Sequence, residues 1–378
     1  MKKRIIASFG WWLCMFLLFV GSAFLTESTF AVAGMIIWLL LPAVTWGINL
    51  GIKKSVSLNL EVTPTACKGE KKQVTLLLHN QSRWAVGKLI CELEFQNTLT
   101  GEKQIHIADV PVKAKGTSKL PLFMTSMHCG YVRMRVTKAF LMDWFSFLPV
   151  QCSFEVKRKV DILPDIFQTH ISLQIPEVST VEAEEWSLQQ RGEDYGEVFC
   201  LREYAEGDSL KQIHWKLASK TNTLIVKEGS LPIKKSCLLF WDKGVKREKP
   251  EEMDAMAEVV ASISQAVMEL GNPFTLGWTE AGGAVFEEIQ SEEDFIQVLP
   301  RMLKEGCGQT EGNSLTEKLE EKGSYGKILY FAKEIPEYME EVKNVDIRYI
   351  LCTKEQSQEN VYAFTPATYL QDMAVLEL

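Results

Sequence analysis

The 378-residue sequence has no run of five or more like charges, and its formal net charge is −8. It therefore lacks the basic tail or basic surface that binds nucleic acid, and we expect no nucleic-acid partner. It also has no G-x-G-x-x-G, P-loop, G-x-S-x-G or H-E-x-x-H segment. These absences give no support for a common nucleotide-binding site, a serine hydrolase or a zinc protease. We also expect no cofactor.

The cysteines lack the clustering of a disulfide framework or a zinc site. There are nine of them, an odd number, scattered singly along the chain with no C-x-x-C pair. Disulfide-rich domains and structural zinc sites require clustered spacing. We therefore expect free thiols in a reducing compartment.

Charge is also missing from two long stretches near the N-terminus. No charged residue occurs from Ile5 to Thr26 or from Ser28 to Ile52, and only Glu27 carries a charge between them. Each stretch is longer than the roughly 20 residues that a helix needs to cross a bilayer. Residues 1–54 are therefore predicted to form a two-helix transmembrane hairpin.

The flanking charges predict the orientation of this hairpin. Residues 2–4 are Lys-Lys-Arg, and Lys53 and Lys54 follow the second stretch. Because basic residues favour the cytoplasmic side, both ends and the domains after them are expected in the cytoplasm. The alternative is a signal peptide with small residues at Gly21, Ser22 and Ala23, followed by one span.

Residues 55–163 are predicted to form an antiparallel β-sandwich of immunoglobulin type. Short segments with partial two-residue alternation, such as "KQVTLLLHN" and "KLICELEF", are separated by Gly, Pro, Asn and Ser. Six or seven strands at this spacing are typical of a sandwich. Asp143-Trp144-Phe145 is interpreted as an aromatic plug in a loop of this domain.

The remainder of the chain divides into three parts. Residues 164–190 have weak periodicity and are interpreted as a connector, and residues 191–230 form a distinctive polar segment. Residues 231–378 alternate apolar strands such as "SCLLFW" and "KILYFA" with helices, the longest over residues 251–270. This alternation predicts an α/β domain with a doubly wound parallel sheet.

The polar segment contains "REYAEGDSLKQIHWKLASK" at residues 202–220. Asp208 is expected to cap a helix over residues 209–219. Leu210, Ile213 and Leu217 would form its apolar stripe, and "TLIVKEG" would follow as a strand. On this local interpretation the charged residues are the solvated face of an ordinary helix.

The same residues resemble the signature of the bacterial domain-of-unknown-function family 58, and the order of parts is similar over nearly the whole chain. The positions that match and could form an interaction surface are Arg202, Tyr204, Gly207, Asp208, Lys211, His214, Trp215, Lys216, Lys220 and Lys227.

The resemblance implies a C-terminal domain like that of von Willebrand factor A, whose metal site has the sequence D-x-S-x-S after the first strand. Here "SCLLFW" is followed by Asp242-Lys243-Gly244-Val245-Lys246, so both serines are missing. Since a hard cation prefers several oxygen ligands, we expect a degenerate site, with Asp242 as a turn residue or helix cap. The resemblance also implies a MoxR-type AAA+ ATPase and a transglutaminase-like membrane protein as partners.

The leading hypothesis is therefore a membrane-anchored cytoplasmic scaffold and not an enzyme. Trp215 is expected to be largely buried, and Arg202 to pair with an acidic group. One alternative is a hydrolase with His214 as general base beside Asp208 or Glu206. Another is a binding module that depends on a divalent cation.

Overall fold

A computed structural model gives the structure of the chain. It describes residues 2–26, 29–146, 148–173, 186–192, 194–205, 213–221, 223–232, 237–245, 248–271, 273–307, 325–337, 339, 346–354 and 360–378. Backbone contacts divide the chain into two compact units. The first comprises Met1–Asp165, Glu248–Ala257 and Pro300–Gly306, and the second comprises Ile166–Arg247, Glu258–Leu299 and Cys307–Leu378.

The first unit begins with two apolar helices, α1 (Lys2–Thr26) and α2 (Thr29–Ile52). The segments Ile6–Leu25 and Thr29–Ser55 are long and apolar enough to span a membrane. The prediction of two apolar N-terminal helices is thus confirmed. The helices contact each other, and the indole Nε1 of Trp38 donates to the carbonyl of Trp12 at 3.3 Å.

Nine strands follow a single 3-10 turn at Lys53–Ser55. They are β1 (Val56–Glu61), β2 (Thr65–Cys67), β3 (Lys72–Asn80), β4 (Val86–Asn97), β5 (Lys103–Val112), β6 (Gly116–Met124), β7 (Gly130–Met142), β8 (Pro149–Cys152) and β9 (Lys157–Leu163).

These strands form two sheets around one apolar core. One sheet has the order β1-β3-β6, and the other has the order β2-β9-β7-β4-β5, with β8 paired to β7. Alternate residues of β3, such as Leu76 and Leu78, share a buried cluster with Leu89 and Leu93 of β4. Because successive side chains of a strand point to opposite faces, this alternation requires a second sheet over each inner face. The domain is a β-sandwich, as the sequence predicts.

The loop after β7 packs against the helical hairpin. The Asp143 side chain is fully buried and accepts hydrogen bonds from the amides of Phe145 at 3.0 Å and Leu148 at 2.7 Å. The Phe145 ring then lies edge-on to Trp38, with ring centroids 5.3 Å apart. Trp144 is 64% exposed. The interpretation as an aromatic plug therefore holds for Phe145 but not for Trp144.

The strands described after residue 165 are β10 (His170–Ser172), β11 (Trp186–Gly192), β12 (Asp194–Glu203), β13 (Ile225–Pro232), β14 (Leu238–Trp241), β15 (Phe274–Glu280), β16 (Gly283–Ile289), β17 (Lys327–Ala332), β18 (Asp346–Cys352), β19 (Val361–Phe364) and β20 (Val375–Glu377). The helices are α3 (Trp215–Thr221), α4 (Pro250–Glu269), α5 (Glu292–Met302) and α6 (Tyr369–Asp372).

The largest sheet of the second unit has the order β16-β15-β14-β17-β18-β19. Strands β15, β14, β17, β18 and β19 are parallel, and β16 is antiparallel to β15. All four residues of β14 and all six of β17 are buried, as expected for strands covered on both faces. The predicted parallel sheet is present, with an antiparallel strand at one edge.

The segment interpreted as a connector contributes strands. Strand β10 pairs in parallel with β20, where His170 is opposite Val375, and β11 pairs with β13. A three-residue strand is too short to show periodicity, and its partner is far along the sequence. Parts of the predicted connector therefore pair as strands, and the domain boundaries stay a prediction.

Gly130, at the start of β7, lies where the strands of the sandwich pack closely, and its substitution tests this packing. Its φ is +127°, and an added Cβ would lie 2.6 Å from Asn97 Oδ1 and 2.7 Å from Leu99 Cβ. We expect Gly130→Ala to lower the free energy of unfolding by roughly 3 kcal/mol, because strain and overlap add. Thermal unfolding of the purified chain in detergent measures the change. Gly116→Ala is the control, since its Cβ would meet atoms only at 3.5 Å. Equal melting temperatures for the two variants would contradict the prediction.

Candidate functional site

The described part of the signature segment is organised around strand β13. Arg202 lies on β12, opposite Val226 of β13, and Lys227 is opposite Leu201 in the same antiparallel pair. The structure thus places Arg202 and Lys227 on neighbouring strands. This proximity follows from the strand pairing, because the two residues are 25 positions apart in the sequence.

Tyr204 extends the pairing beyond the end of β12. Its amide donates to the carbonyl of Leu224 at 2.9 Å, and its side chain is half-buried. The two ends of the signature segment are therefore joined here by a backbone hydrogen bond. Gly207, Asp208 and Lys211 lie outside the described residues, and so does the expected cap at Asp208.

His214 caps helix α3. Its Nδ1 accepts a hydrogen bond from the amide of Leu217 at 3.3 Å, and its carbonyl accepts from the same amide and from that of Ala218, each at 2.9 Å. A side chain that satisfies an amide of the first turn is the defining interaction of an N-cap. An accepting Nδ1 carries no proton, so a neutral His214 would carry its proton on Nε2.

The predicted helix over residues 209–219 is wrong at its centre. Ile213 forms an isolated β-bridge with Val226, and the amide of His214 donates to Ile225 at 2.8 Å. The backbone here pairs with β13, and helix α3 begins only at Trp215. Ile213 and Val226 are both buried, so strand-like packing outweighs the helical spacing of the apolar residues.

The charged residues of α3 that the structure describes face solvent. Lys216 and Lys220 are exposed, and Lys220 lies in the last turn, where a cation interacts favourably with the helix dipole. For Arg202, Trp215 and Lys227 only the backbone lies within the described structure. The expected burial of Trp215 and the expected acidic partner of Arg202 therefore stay predictions.

A second polar cluster lies at the carboxyl end of β14. The amide of Asp242 donates to the carbonyl of Phe331 at 2.8 Å, which extends the pairing of β14 with β17 by one residue. The hydroxyl of Tyr330 donates to Asp242 Oδ2 at 2.6 Å, and the amide of Gly244 donates to Oδ1 at 2.9 Å. Both carboxylate oxygens thus accept hydrogen bonds, and Gly244 adopts a φ of +68° in the turn.

Lys243, the next residue, is only 1% exposed. Its ammonium lies over the indole of Trp241, 5.0 Å from the ring centroid. Its amide donates to Oγ1 of Thr279, a fully buried residue of β15, at 2.9 Å. Attraction to the face of an aromatic ring is one of the interactions that offset the cost of burying an ammonium group.

This cluster lies at the end of the sheet where ligands usually bind in α/β folds. The chain leaves β14 for β15 on one side and reaches β17 on the other, so the carboxyl end of β14 is a topological switch point. The side chains do not fit the divalent ion that the resemblance implies. Asp242 accepts from a hydroxyl and an amide, and a buried ammonium follows it. Within the described ranges, no three His, Cys, Asp or Glu residues are grouped to hold a metal. Asp242 is a turn residue.

Sequence analysis missed Tyr330, Thr279 and Trp241 as neighbours of this cluster. Tyr330 and Thr279 lie on β17 and β15, the strands on either side of β14. The sequence offered one signal for these residues, which is their position in the predicted sheet. Once β14 is taken as the central strand, polar residues toward the carboxyl ends of its neighbours are expected beside Asp242.

The sequence matches no protein-family profile and no curated protein. Among solved structures, the CARDB domain of the PF1109 protein from Pyrococcus furiosus is 10% identical, with 28% of this chain and 91% of that chain covered and a TM-score of 0.21. A β-glucosidase from Listeria innocua is 14% identical over 28% of this chain and 16% of that one, with a TM-score of 0.21. A cohesin module of a Clostridium perfringens family 33 glycoside hydrolase is 10% identical over 29% and 96%, with a TM-score of 0.20.

The capping role of His214 can be tested by substitution. We expect His214→Asn to retain the stability of the chain, because asparagine is among the best N-cap residues. His214→Ala should lose about 1 kcal/mol of unfolding free energy. Thermal unfolding of both variants measures the difference. Equal losses in the two variants would show that the ring is needed for a reason other than capping.

The hydrogen bond between Tyr330 and Asp242 can be measured with a double-mutant cycle. Tyr330→Phe, Asp242→Asn and the double variant should give a coupling free energy of about 1.5 to 3 kcal/mol, as expected for a hydrogen bond to a charged group. Denaturant unfolding of the four proteins supplies the values. The matched control is the cycle of Tyr131→Phe with Asp242→Asn, for which we expect additive effects. A coupling near zero in the first cycle would contradict the geometry.

Proposed function

We propose that the protein is a membrane-anchored cytoplasmic scaffold with two transmembrane helices. The observation that carries this proposal is the exposure of the helical hairpin. Only 6% of the first apolar window and 11% of the second are buried within the protein. Large side chains such as Phe24, Leu25 and Phe30 are 86–88% exposed. A bilayer is the solvent in which such a surface is stable, because water disfavours exposed apolar area.

The orientation is proposed from the flanking charges. Lys53 and Lys54 are exposed in the 3-10 turn that ends the hairpin, and residues 2–4 carry three further positive charges. Basic residues at both ends favour retention of both ends in the cytoplasm. The free thiols of Cys67 and Cys91 are compatible with that reducing compartment.

The finer fold classes are part of the same proposal. A constant-type immunoglobulin sandwich has its first, second, fourth and fifth strands in one sheet and its third, sixth and seventh in the other. If β2, β5 and β8 are set aside as additions, the remaining six strands, in the sheets β1-β3-β6 and β9-β7-β4, follow this arrangement without its fourth strand. Numbered from β14, the large sheet has the order 3-2-1-4-5-6 of a doubly wound fold. We propose a von Willebrand factor A-like domain in which Lys243 replaces the metal ion.

The partner that we propose is a MoxR-type AAA+ ATPase, with a transglutaminase-like membrane protein as a further associate. The support comes from the signature residues and from the exposed lysines of α3. Lys216 and Lys220 present positive charge to solvent beside the strands that carry Arg202 and Lys227. Exposed lysines such as these can steer an acidic partner surface and select it by charge.

The cap at His214 favours this proposal over a hydrolase. The Nδ1 atom accepts from the Leu217 amide, so His214 has a structural role that explains its position. The hydrogen bonds to both oxygens of Asp242 likewise favour a protein-binding domain over one that depends on a divalent cation.

The proposal is tested by purification of the full chain from native membranes. We expect it to remain in the membrane fraction after carbonate extraction and to retain an AAA+ ATPase identified by mass spectrometry. Lys216→Glu combined with Lys220→Glu should reduce the retained ATPase about tenfold, which corresponds to 1.4 kcal/mol. Lys113→Glu with Lys119→Glu, two exposed lysines of the sandwich, is the charge-matched control.

Three outcomes would oppose the proposal. Release of the chain by carbonate would contradict the proposed membrane anchor. Activity of a periplasm-only reporter fused after Lys54 would contradict the proposed orientation. Equal recovery of the ATPase with both double variants would exclude α3 as the contact surface.

A further inference from the structure

A large groove in the first unit lies between the first apolar helix and the outer face of the sandwich. It has a volume of about 1250 Å³, and its walls are the start of α1, at Ala7 and Ser8, and strands β4, β5 and β7. Ala7 and Ser8 belong to the apolar window Ile6–Leu25. If that window crosses the bilayer, the groove opens at the membrane surface.

The floor of the groove is apolar on the face of the sheet that points away from the core. Leu89 and Cys91 of β4 belong to the sandwich core, so Ile90 between them points to the opposite face. Ile90 is directly opposite Phe140 of β7, and Met142 lies two residues further along β7. These side chains form an apolar strip outside the core, of which Phe140 is the partly exposed member, because Ile90 is 8% and Met142 1% exposed.

Ile107 of β5 lies diagonally across from Ile90, at the edge of the sheet. It lines the groove and is 67% exposed. Its neighbour across the strands is Glu92, which in turn is opposite Lys138. A large aliphatic side chain on an exposed edge strand is an aggregation risk that proteins usually cover or replace with charge. A ligand in the groove would cover it.

Charged side chains flank the apolar strip on the same face of the sheet, where Asp109 is opposite Ile90 and Lys88 is opposite Met142. Lys88 lies 3.7 Å from Asp109, and Lys138 lies 3.6 Å from Glu92, measured from nitrogen to oxygen. These distances are longer than a hydrogen bond, and the Lys138 side chain is 60% exposed. Both ammonium groups therefore retain donors for a phosphate oxygen, and the two carboxylates can balance a positively charged headgroup.

We propose that this groove binds one membrane phospholipid, with its phosphate on Lys138 and an acyl chain along Phe140 and Ile107. The inference rests on the proposed membrane insertion, because the groove then receives its ligand directly from the adjoining leaflet. Charges of both signs around exposed apolar side chains match a zwitterionic glycerophospholipid better than a free phosphate, which would leave Phe140 and Ile107 uncovered.

The test reconstitutes the full chain in nanodiscs of phosphatidylethanolamine and phosphatidylglycerol that contain a phosphatidylethanolamine with a diazirine in its acyl chain. After illumination, we expect the lipid adduct on β4, β5 or β7. Ile107→Lys and Lys138→Glu should each reduce the adduct about tenfold, because each places an unfavourable charge in the lipid path.

The chain offers close controls for both substitutions. Ile105→Lys changes an isoleucine of the same strand and face that is 61% exposed but does not line the groove. Lys157→Glu reverses an exposed lysine of β9 in the same sheet. Both control variants should give the adduct of the wild type, and thermal unfolding confirms that all four variants are folded.

Several results would overturn the inference. These are equal adducts in the Ile107→Lys and Ile105→Lys variants, an adduct confined to α1 and α2, or no adduct in a chain that resists carbonate extraction. A dimer crosslinked through β5 without lipid would show that a second copy covers the groove. Carbonate extraction separates this failure from that of the proposed function: a released chain refutes the anchor, whereas a retained chain without the adduct refutes only the phospholipid site.

Discussion

The junction between the second apolar helix and the sandwich is the constraint on which the first unit depends. Ile52, the last residue of α2, is 3% exposed and belongs to the sandwich core, and β1 begins at Val56 after a single 3-10 turn. A buried residue cannot leave its core without losing apolar contacts, so this junction resists reorientation. The outer face of the sheet that contains β4 and the start of α1 together line the groove.

The elements that the sequence predicts well are those with a long uniform pattern. The apolar windows of α1 and α2, the alternation of β3 and β7, and the buried runs of β14 and β17 all correspond to elements of the structure. The strand patterns extend over enough residues for their period to be recognised. The two apolar windows are long enough to span a bilayer as helices. Strands β10 and β20 have three residues each and depend on pairing across 205 positions, from His170 to Val375, which no local pattern contains.

The site residues could be located from the sequence, but their roles could not. The sequence marks His214 and Asp242 as polar residues in suggestive positions. The role of His214 depends on whether the backbone before it is helical or paired with β13, and Ile213 and Val226 decide in favour of pairing. The role of Asp242 depends on a hydroxyl from Tyr330, 88 positions away on a neighbouring strand. Contacts of this range arise from the order of strands in the sheet, which composition and local spacing do not specify.

The buried lysine at the end of β14 also affects how this domain depends on the metal-ion content of the cell. A bound metal ion equilibrates with its surroundings, so its occupancy follows the ionic composition of the compartment and falls when a chelator is present. The Lys243 side chain is covalently attached to the chain, and its nitrogen is held over Trp241. It cannot leave the site, so its presence at the carboxyl end of β14 does not depend on magnesium or calcium concentrations. The group at this position is therefore set when the chain is synthesised and not by later changes in metal-ion levels.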